Sequence, residues 1–234
     1  MEPTEYDLMD AQETRMWWYR ALHARLLDAL AEVRGTLLDA GCGTGGFLAT
    51  LAAQRQDLHA IGLEYQPTAA ARASCKSATP VACGSINAIP FAARSFDAAI
   101  SADVLCHEAV DPNQALAELR RVLRPGGLLV LNLPAYAWLM SAHDRRVHNA
   151  RRHAAPDVRA MLAAAGFGTI HVRYWNGLLL PLLVASRQLR RHNAASDVAA
   201  FPPWLDATLY GVTQLDRKLH LPMGSSILAT ATNL

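Results

Sequence analysis

The sequence predicts an α/β fold built on a doubly wound, mostly parallel sheet. Two observations carry this. Short apolar runs alternate with helix-patterned stretches from residue 36 to 173, and the first run ends in the glycine-rich turn Asp39-Ala40-Gly41-Cys42-Gly43-Thr44-Gly45-Gly46. Strands are expected at 36–39, 59–64, 80–83, 96–101, 127–133 and 169–174, with a last one at 225–232 after the turn signal Pro222-Met223-Gly224. Helices are expected between them at 45–54, 67–77, 112–123 and 156–165. Arg124-Pro125-Gly126-Gly127 stops one helix and starts a strand; Ala165-Gly166-Phe167-Gly168 does the same with glycine as the cap.

Two regions fall outside the alternation. Residues 1–35 form an N-terminal helical segment bearing Trp17-Trp18-Tyr19, read as a lid. Residues 175–224 separate the last two strands with helical periodicity, and connections that long are uncommon unless they carry structure or function of their own. The expected organisation is therefore a lid at 1–35, a main domain at 36–174 plus 225–234, and a helical cap at 175–224.

The bulk composition narrows the class. A chain of 234 residues with 52% hydrophobic and 18% charged residues has one sizeable core and is not disordered. The net charge of +2 gives no argument for nucleic acid, and no basic stripe interleaved with aromatics is present. The acidic, polar stretch from Met1 to Asp10 does not read as a secretory leader. The longest apolar run, 177–186, is broken by Pro181 and falls short of the roughly 20 residues that span a bilayer. Cys42, Cys75, Cys83 and Cys106 show no paired spacing, so they read as thiols of a reducing cytoplasm. A cytoplasmic monomer or homodimer is expected.

In the turn, backbone N–H groups and a following helix N-terminus face whatever binds there. Its spacing fits two cofactors: a dinucleotide through Gly41, Gly43 and Gly46, or S-adenosylmethionine through Asp39, Gly41, Gly43 and Gly45. Glu64, closing the second strand, suits ribose hydroxyls of either.

The next motifs discriminate. Gly84-Ser85-Ile86-Asn87, Ser95-Phe96-Asp97, Asp103-Val104-Leu105-Cys106-His107 and Leu119 to Gly127 follow in order. With the turn, they resemble class I S-adenosylmethionine-dependent methyltransferases over residues 36–134. The resemblance implies a Rossmann-like, seven-stranded sheet whose last strand is antiparallel. It implies that Gly41 and Gly43 contact the methionine moiety, Asp39 its ammonium group, and Glu64 the ribose. Ser85 and Ile86 would flank the adenine, with serine where relatives often carry aspartate, and Tyr65 would cover an adenine or ribose face. Ala102 and Asp103 would lie near the methyl-bearing sulfonium.

The acceptor side is less determined. Three of the nine histidines, His143, His148 and His153, crowd the stretch after the fifth strand. Its residues Pro134, Ala135, Tyr136, Ser141, His143, Asp144, His148, Arg151 and Arg152 are similar to a pattern of one bacterial methyltransferase subgroup, with His153 where tyrosine is frequent. A hydroxyl acceptor calls for a general base, and histidine suits neutral pH. The candidates are His143, oriented by Asp144 or another carboxylate, then His148 and His107. No metal site is expected. Trp18, Tyr19, Tyr136 and Trp175 are candidate walls for an apolar or aromatic small-molecule acceptor. Two arginine clusters, Arg145, Arg146, Arg151, Arg152 and Arg187, Arg190, Arg191, suit carboxylate or phosphate. The apolar run 178–184 followed by arginines leaves peripheral membrane contact and a lipid-linked or glycan acceptor open. A nicotinamide-dependent oxidoreductase is the rival class, disfavoured because Lys76 and Lys218 are the only lysines and no Tyr-x-x-x-Lys pair occurs.

Overall fold

The computed structural model describes residues 2–189, 201–219 and 221–234. Arg190 and Arg191 of the second arginine cluster lie outside the described residues. Two helices, α1 (Pro3–Gln12) and α2 (Trp17–Ala29), precede the sheet. Then come β1 (Gly35–Ala40), α3 (Gly46–Gln54), β2 (Leu58–Glu64), α4 (Pro67–Ser77), β3 (Val81–Cys83), β4 (Phe96–Ala102), α5 (Pro112–Val122) and β5 (Leu123–Pro134). A 3-10 turn at Ala137–Leu139 leads to α6 (Ala142–Arg146), α7 (Ala155–Ala164), β6 (Phe167–Trp175), α8 (Leu180–Leu189), α9 (Pro203–Lys218) and β7 (Ser226–Asn233).

The strands form one sheet in the order β3-β2-β1-β4-β5-β7-β6. All neighbours are parallel except β7, which runs antiparallel between β5 and β6. Order reverses between β1 and β4, so a crevice opens at their carboxyl ends, where open α/β sheets bind ligands. The expected seven-stranded architecture is the observed one.

Strand periodicity explains the double winding. Successive side chains point to opposite faces, so Leu37 and Leu38 of β1 enter different cores. Leu38, Leu63, Ala99 and Leu131 pack with Leu116 and Leu119 of α5 and Leu162 of α7. Leu37, Ile100 and Val130 pack with Leu22 and Leu26 of α2 and Leu48 and Leu51 of α3. The N-terminal segment expected as one lid therefore divides: α2 is a core layer, and α1 alone lies over the glycine turn.

β5 is longer than the pattern suggested. It begins at Leu123, passes through Gly126 at φ +78°, and shifts register against β4 between Phe96 and Ala98. The expected Pro-Gly-Gly stop is a bulge within the strand, which hydrophobic periodicity does not reveal.

The 175–224 insertion is fastened to α2. The Arg25 guanidinium is almost wholly buried and donates to Ala21 O (3.0 Å), Thr213 O (2.9 Å) and Asp216 Oδ2 (3.1 Å). It lies 4.4 Å over the Trp175 ring. Asp216 also accepts from the backbone N–H groups of Asn176 and Gly177, each at 2.8 Å. Asp206 at the start of α9 accepts from Trp17 N at 2.6 Å and pairs with Arg20 at 3.2 Å.

Breaking a buried pair strands one charge without water. Asp216→Ala is expected to cost about 3–5 kcal/mol in chemical denaturation, and Arg25→Met added to it should recover part of that loss. Equal stability of Asp216→Ala and the unmodified chain contradicts the role assigned to this pair.

Candidate functional site

The glycine turn is held from both sides. Gly41 N and Cys42 N donate to Leu63 O at 2.7 and 3.0 Å, hooking the turn over β2. Gly41 sits at φ +95° against the Val104 side chain, so a Cβ there would be both strained and in collision. Gly45, at φ +91°, caps α3 against the backbone of Ala73. The turn thus exposes peptide rather than side chain to a ligand.

Two carboxylates flank it. Asp39 is buried, and among the described residues its carboxylate has no hydrogen-bond partner. Burial pushes its carboxyl up to about 7, helped by repulsion from Glu64 and Glu13. Glu64 is pushed up by burial as well, against the pull of its hydrogen bonds. Oε2 accepts from Gly43 N (3.0 Å), and Oε1 accepts from Gln66 N (3.0 Å) and the Tyr6 hydroxyl (3.3 Å). A hydroxyl on Glu64 is the contact a ribose would make. A buried carboxylate lacking a donor and a second one holding a hydroxyl fit the ammonium and diol of S-adenosylmethionine.

Helix α1 covers this arrangement. The Met9 methyl lies 2.9 Å from where a Gly43 Cβ would stand. Just beyond the helix, Glu13 accepts from Thr44 Oγ1 at 2.7 Å and pairs with Lys76 of α4. Tyr6, Met9 and Glu13 were not legible as site residues, because α1 has almost no amphipathic pattern to orient it.

At the ends of β4 and β5, Asp103 stands at φ +56°, a strained value for a residue with a side chain. Both its carboxylate oxygens lie 3.0–3.1 Å from Asn132 Nδ2, and Asn132 Oδ1 accepts from Trp175 Nε1 at 2.8 Å. Protein around Asp103 desolvates it and raises its carboxyl to about 7. Asn132 was missed; a polar residue interrupting the apolar run Leu128–Leu133 was the available signal. Tyr19 is pushed up by burial and by the nearby charges of Glu13, Asp103 and Glu5. Trp18 meets Tyr19 edge-on at 5.1 Å and stacks with Trp175 at 6.0 Å. Ala102 packs partly buried beside them.

The adenine-side candidates are mixed. Ile86 is buried in the core cluster, whereas Ser85 Oγ accepts from Asn87 N at 3.1 Å within its own turn. The Tyr65 side chain is 73% exposed, so it covers no part of the protein.

The histidines separate clearly. His143 Nδ1 lies 3.8 Å from Glu5 Oε2 of α1. Asp144 faces elsewhere: it forms a capping box with Ser141 and pairs with Arg152 at 2.9 Å, nearly fully buried. His148 pairs with Glu108 at 2.7 Å on the surface. His107 is driven down to about 4 by burial. Arg151 donates to the carbonyls of Leu105, His107 and Val110. The Asp-Arg pattern here therefore shapes the loop, and it brings His143, not His148, toward α1. Tyr136 is stacked between Trp138 (5.6 Å) and Tyr174 (5.0 Å), its hydroxyl raised to about 12 chiefly by burial. Among the described residues no group of three or more His, Cys, Asp or Glu side chains converges to hold a metal ion.

A family model described as "Methyltransferase domain" matches residues 38–131, from β1 into β5. Over residues 38–131 the chain is therefore similar to methyltransferase domains, on the seven-stranded fold described above. This match resolves the turn's ambiguity in favour of the methyl donor over a nicotinamide dinucleotide. The chain is 33% identical over 157 residues to 24-methylenesterol C-methyltransferase 2 of Oryza sativa subsp. japonica, covering 60% of this chain and 42% of that protein. It is 31% identical over 163 residues to malonyl-[acyl-carrier protein] O-methyltransferase of Dechloromonas aromatica, covering 66% and 60%. Both relatives thus extend well beyond the matched region. Among solved structures, a methyltransferase of Thermotoga maritima, described as a possible histamine N-methyltransferase, superposes with a TM-score of 0.64 at 19% identity, covering 99% and 96% of the two chains. That likeness carries the fold alone.

The raised carboxyls give a pH dependence of definite sign. Asp39 and Asp103 keep their protons to about pH 7, whereas unfolded aspartate ionises near ~3.9. The folded state without ligand therefore binds more protons between those values, and its stability falls as pH rises from about 4 to about 7. A ligand ammonium favours the ionised form of Asp39, so calorimetric affinity for S-adenosylhomocysteine should rise across about pH 6 to 8 with proton release. Asp39→Asn should flatten that rise; an unchanged profile in this variant refutes the assignment.

Proposed function

We propose that this chain transfers the methyl group of S-adenosylmethionine to an apolar or aromatic small molecule, at a hydroxyl oxygen, with His143 as general base. The observation that carries the cofactor half is the buried Asp39 carboxylate beside the glycine turn, with Glu64 already holding a hydroxyl. The acceptor half rests on His143 standing beside α1 while the other candidate histidines are turned to structural or surface contacts.

S-adenosylmethionine supplies an electrophilic methyl on a positively charged sulfur. The chain's own residues bind and orient. Asp39 takes the ammonium group, and Glu64 exchanges the Tyr6 hydroxyl for those of the ribose. Asp103, fixed by Asn132, places at the end of β4 a carboxyl that the positive sulfur would draw into its ionised form. Trp18, Tyr19 and Trp175 form one aromatic group and Tyr136, stacked with Trp138 and Tyr174, a second; Trp175 acts from within, since it is buried. His143 accepts the acceptor hydroxyl proton as the oxygen–carbon bond forms, and holding the two reactants together supplies much of the rate. We assign α1 as the lid, 36–174 plus 225–234 as the catalytic domain, and 175–224 as the acceptor cap, working in the cytoplasm.

His143→Ala is expected to lower kcat on a hydroxyl acceptor by roughly 10²–10⁴-fold while calorimetric binding of S-adenosylhomocysteine stays intact. Full turnover in this variant at every pH means that positioning alone drives transfer. Absence of S-adenosylhomocysteine binding by the unmodified protein removes the methyl-transfer reading altogether.

One observation favours a second reading, a lipid-linked acceptor met at a membrane surface. Trp138, Met140, Leu178, Leu182 and Met223 are exposed, and all come from segments at the carboxyl edge of the sheet. Among the described residues no helix is long and apolar enough to cross a membrane. Co-flotation with anionic vesicles, lost in Trp138→Asp and Leu182→Asp, supports this reading; failure of the unmodified protein to float opposes it.

A further inference from the structure

We propose that Glu5, carried by the N-terminal helix α1, is the positioning carboxylate for His143, so that the base is assembled only when α1 lies closed on the cofactor turn. This inference rests on the methyl-transfer reading above and adds to it where the orienting carboxylate comes from.

The geometry has three parts. First, Asp144, the sequence neighbour of His143, is not free to orient it, because its oxygens are taken by Ser141 N (2.7 Å), Ser141 Oγ (2.8 Å) and Arg152 (2.9 and 3.0 Å). Second, Glu5 is buried and divides its two oxygens. Oε1 accepts from Arg146 Nε at 2.9 Å, and Oε2 faces His143 Nδ1 at 3.8 Å. That separation exceeds a hydrogen bond, and catalytic contacts of this kind tighten when substrate arrives. Third, the same helix touches the cofactor half. Tyr6, one residue on, bonds Glu64; Met9 rests on Gly43; Asp7 pairs with Arg72 of α4 at 2.7 Å. α1 is strapped at both ends of the crevice, by Arg72 and Lys76 of α4 on one side and by Arg146 of α6 on the other.

The chemistry follows from the two ring nitrogens. A carboxylate beside Nδ1 fixes the proton there and leaves the Nε2 lone pair to take a proton. When the acceptor oxygen bonds the methyl carbon, its hydroxyl proton passes to Nε2. The bond electrons between carbon and sulfur stay with sulfur. Glu5 then faces the imidazolium, which releases its proton to solvent after the product leaves. Among the described residues, the charged and titratable groups near this pair include Arg146 on α6, which shares Glu5, Asp144 turned toward Arg152, and Tyr19 on α2, which feels the Glu5 charge. Lifting α1 removes Glu5 from His143 and Tyr6 from Glu64 together, so cofactor exchange and loss of the oriented base are one movement.

The test follows His143 by ¹⁵N NMR in the protein saturated with S-adenosylhomocysteine. In the unmodified chain the neutral ring should carry its proton on Nδ1. In Glu5→Gln the tautomer should become mixed and the titration midpoint should fall by about one unit. Arg146→Gln, which breaks the strap but keeps the carboxylate, should move the midpoint the opposite way. Glu5→Asp should restore the tautomer in part, and it serves as the readout where Glu5→Gln does not fold. A strap with no role in orienting the ring predicts the same response from Glu5→Gln and Arg146→Gln, and that result overturns the proposal. So does a His143 signal indifferent to Glu5 in a protein that binds S-adenosylhomocysteine. No S-adenosylhomocysteine binding in the unmodified chain instead overturns the methyl-transfer reading, and this assignment with it.

Discussion

Five carboxylates, Asp39, Glu64, Glu13, Asp103 and Glu5, crowd the carboxyl edge of one sheet, and the arrangement around the crevice answers their mutual repulsion. Each is handled differently. Glu13 is neutralised by Lys76 and Glu5 by Arg146. Glu64 is spread over backbone N–H groups, and Asp103 leans on the Asn132 amide. Asp39 has none of these, and a proton or a cationic ligand must supply what the protein does not. A site tuned this way binds positive charge in preference to a nicotinamide dinucleotide, whose pyrophosphate would meet the same carboxylates as like charge.

The acceptor side depends on a second device, the buried Arg25–Asp216 pair. Asp216 gathers the N–H groups at the end of β6 while Arg25 presses on Trp175. Trp175 in turn holds Asn132, and Asn132 holds Asp103. The buried charge pair therefore reaches Asp103 through three contacts, Arg25 to Trp175, Trp175 to Asn132 and Asn132 to Asp103. This explains why the insertion is anchored through α2, and why Trp175 serves from inside the wall instead of lining an open pocket.

Much of the fold was legible because it is written in periods. The apolar runs, Gly-Pro stops and the acid-glycine turn each demand a local structure, and the strands and the first four sheet helices fall where those signals lie. What escaped was set by tertiary contact. The β5 bulge depends on pairing with β4. The division of residues 1–35 depends on α2 finding a face of the sheet. Asp39, Gly41, Gly43 and Glu64 lie together at the turn, since backbone geometry fixes them. The acceptor positions were weaker because side-chain roles are not periodic: His-Asp at 143–144 looks like a dyad in sequence, yet consecutive residues on a helix point about 100° apart. That rotation sends Asp144 into the cap of α6 and leaves His143 facing α1.

The same rotation bears on how the two halves of the site communicate. A base oriented by its own helix would be ready whether or not the cofactor turn was covered. A base facing α1 is not, because α1 also carries Tyr6 and Met9 onto Glu64 and Gly43. With His143 as the proposed base, closure of one helix covers the turn and aligns the proposed proton acceptor in a single step. The Asp7–Arg72 strap to α4 is an exposed ion pair worth little by itself, whereas the Glu5–Arg146 strap to α6 is largely buried. A lid screened on its α4 side and pinned by a buried pair on its α6 side opens from the α4 side, and reversible closure is what exchange of a methyl donor at every turnover requires.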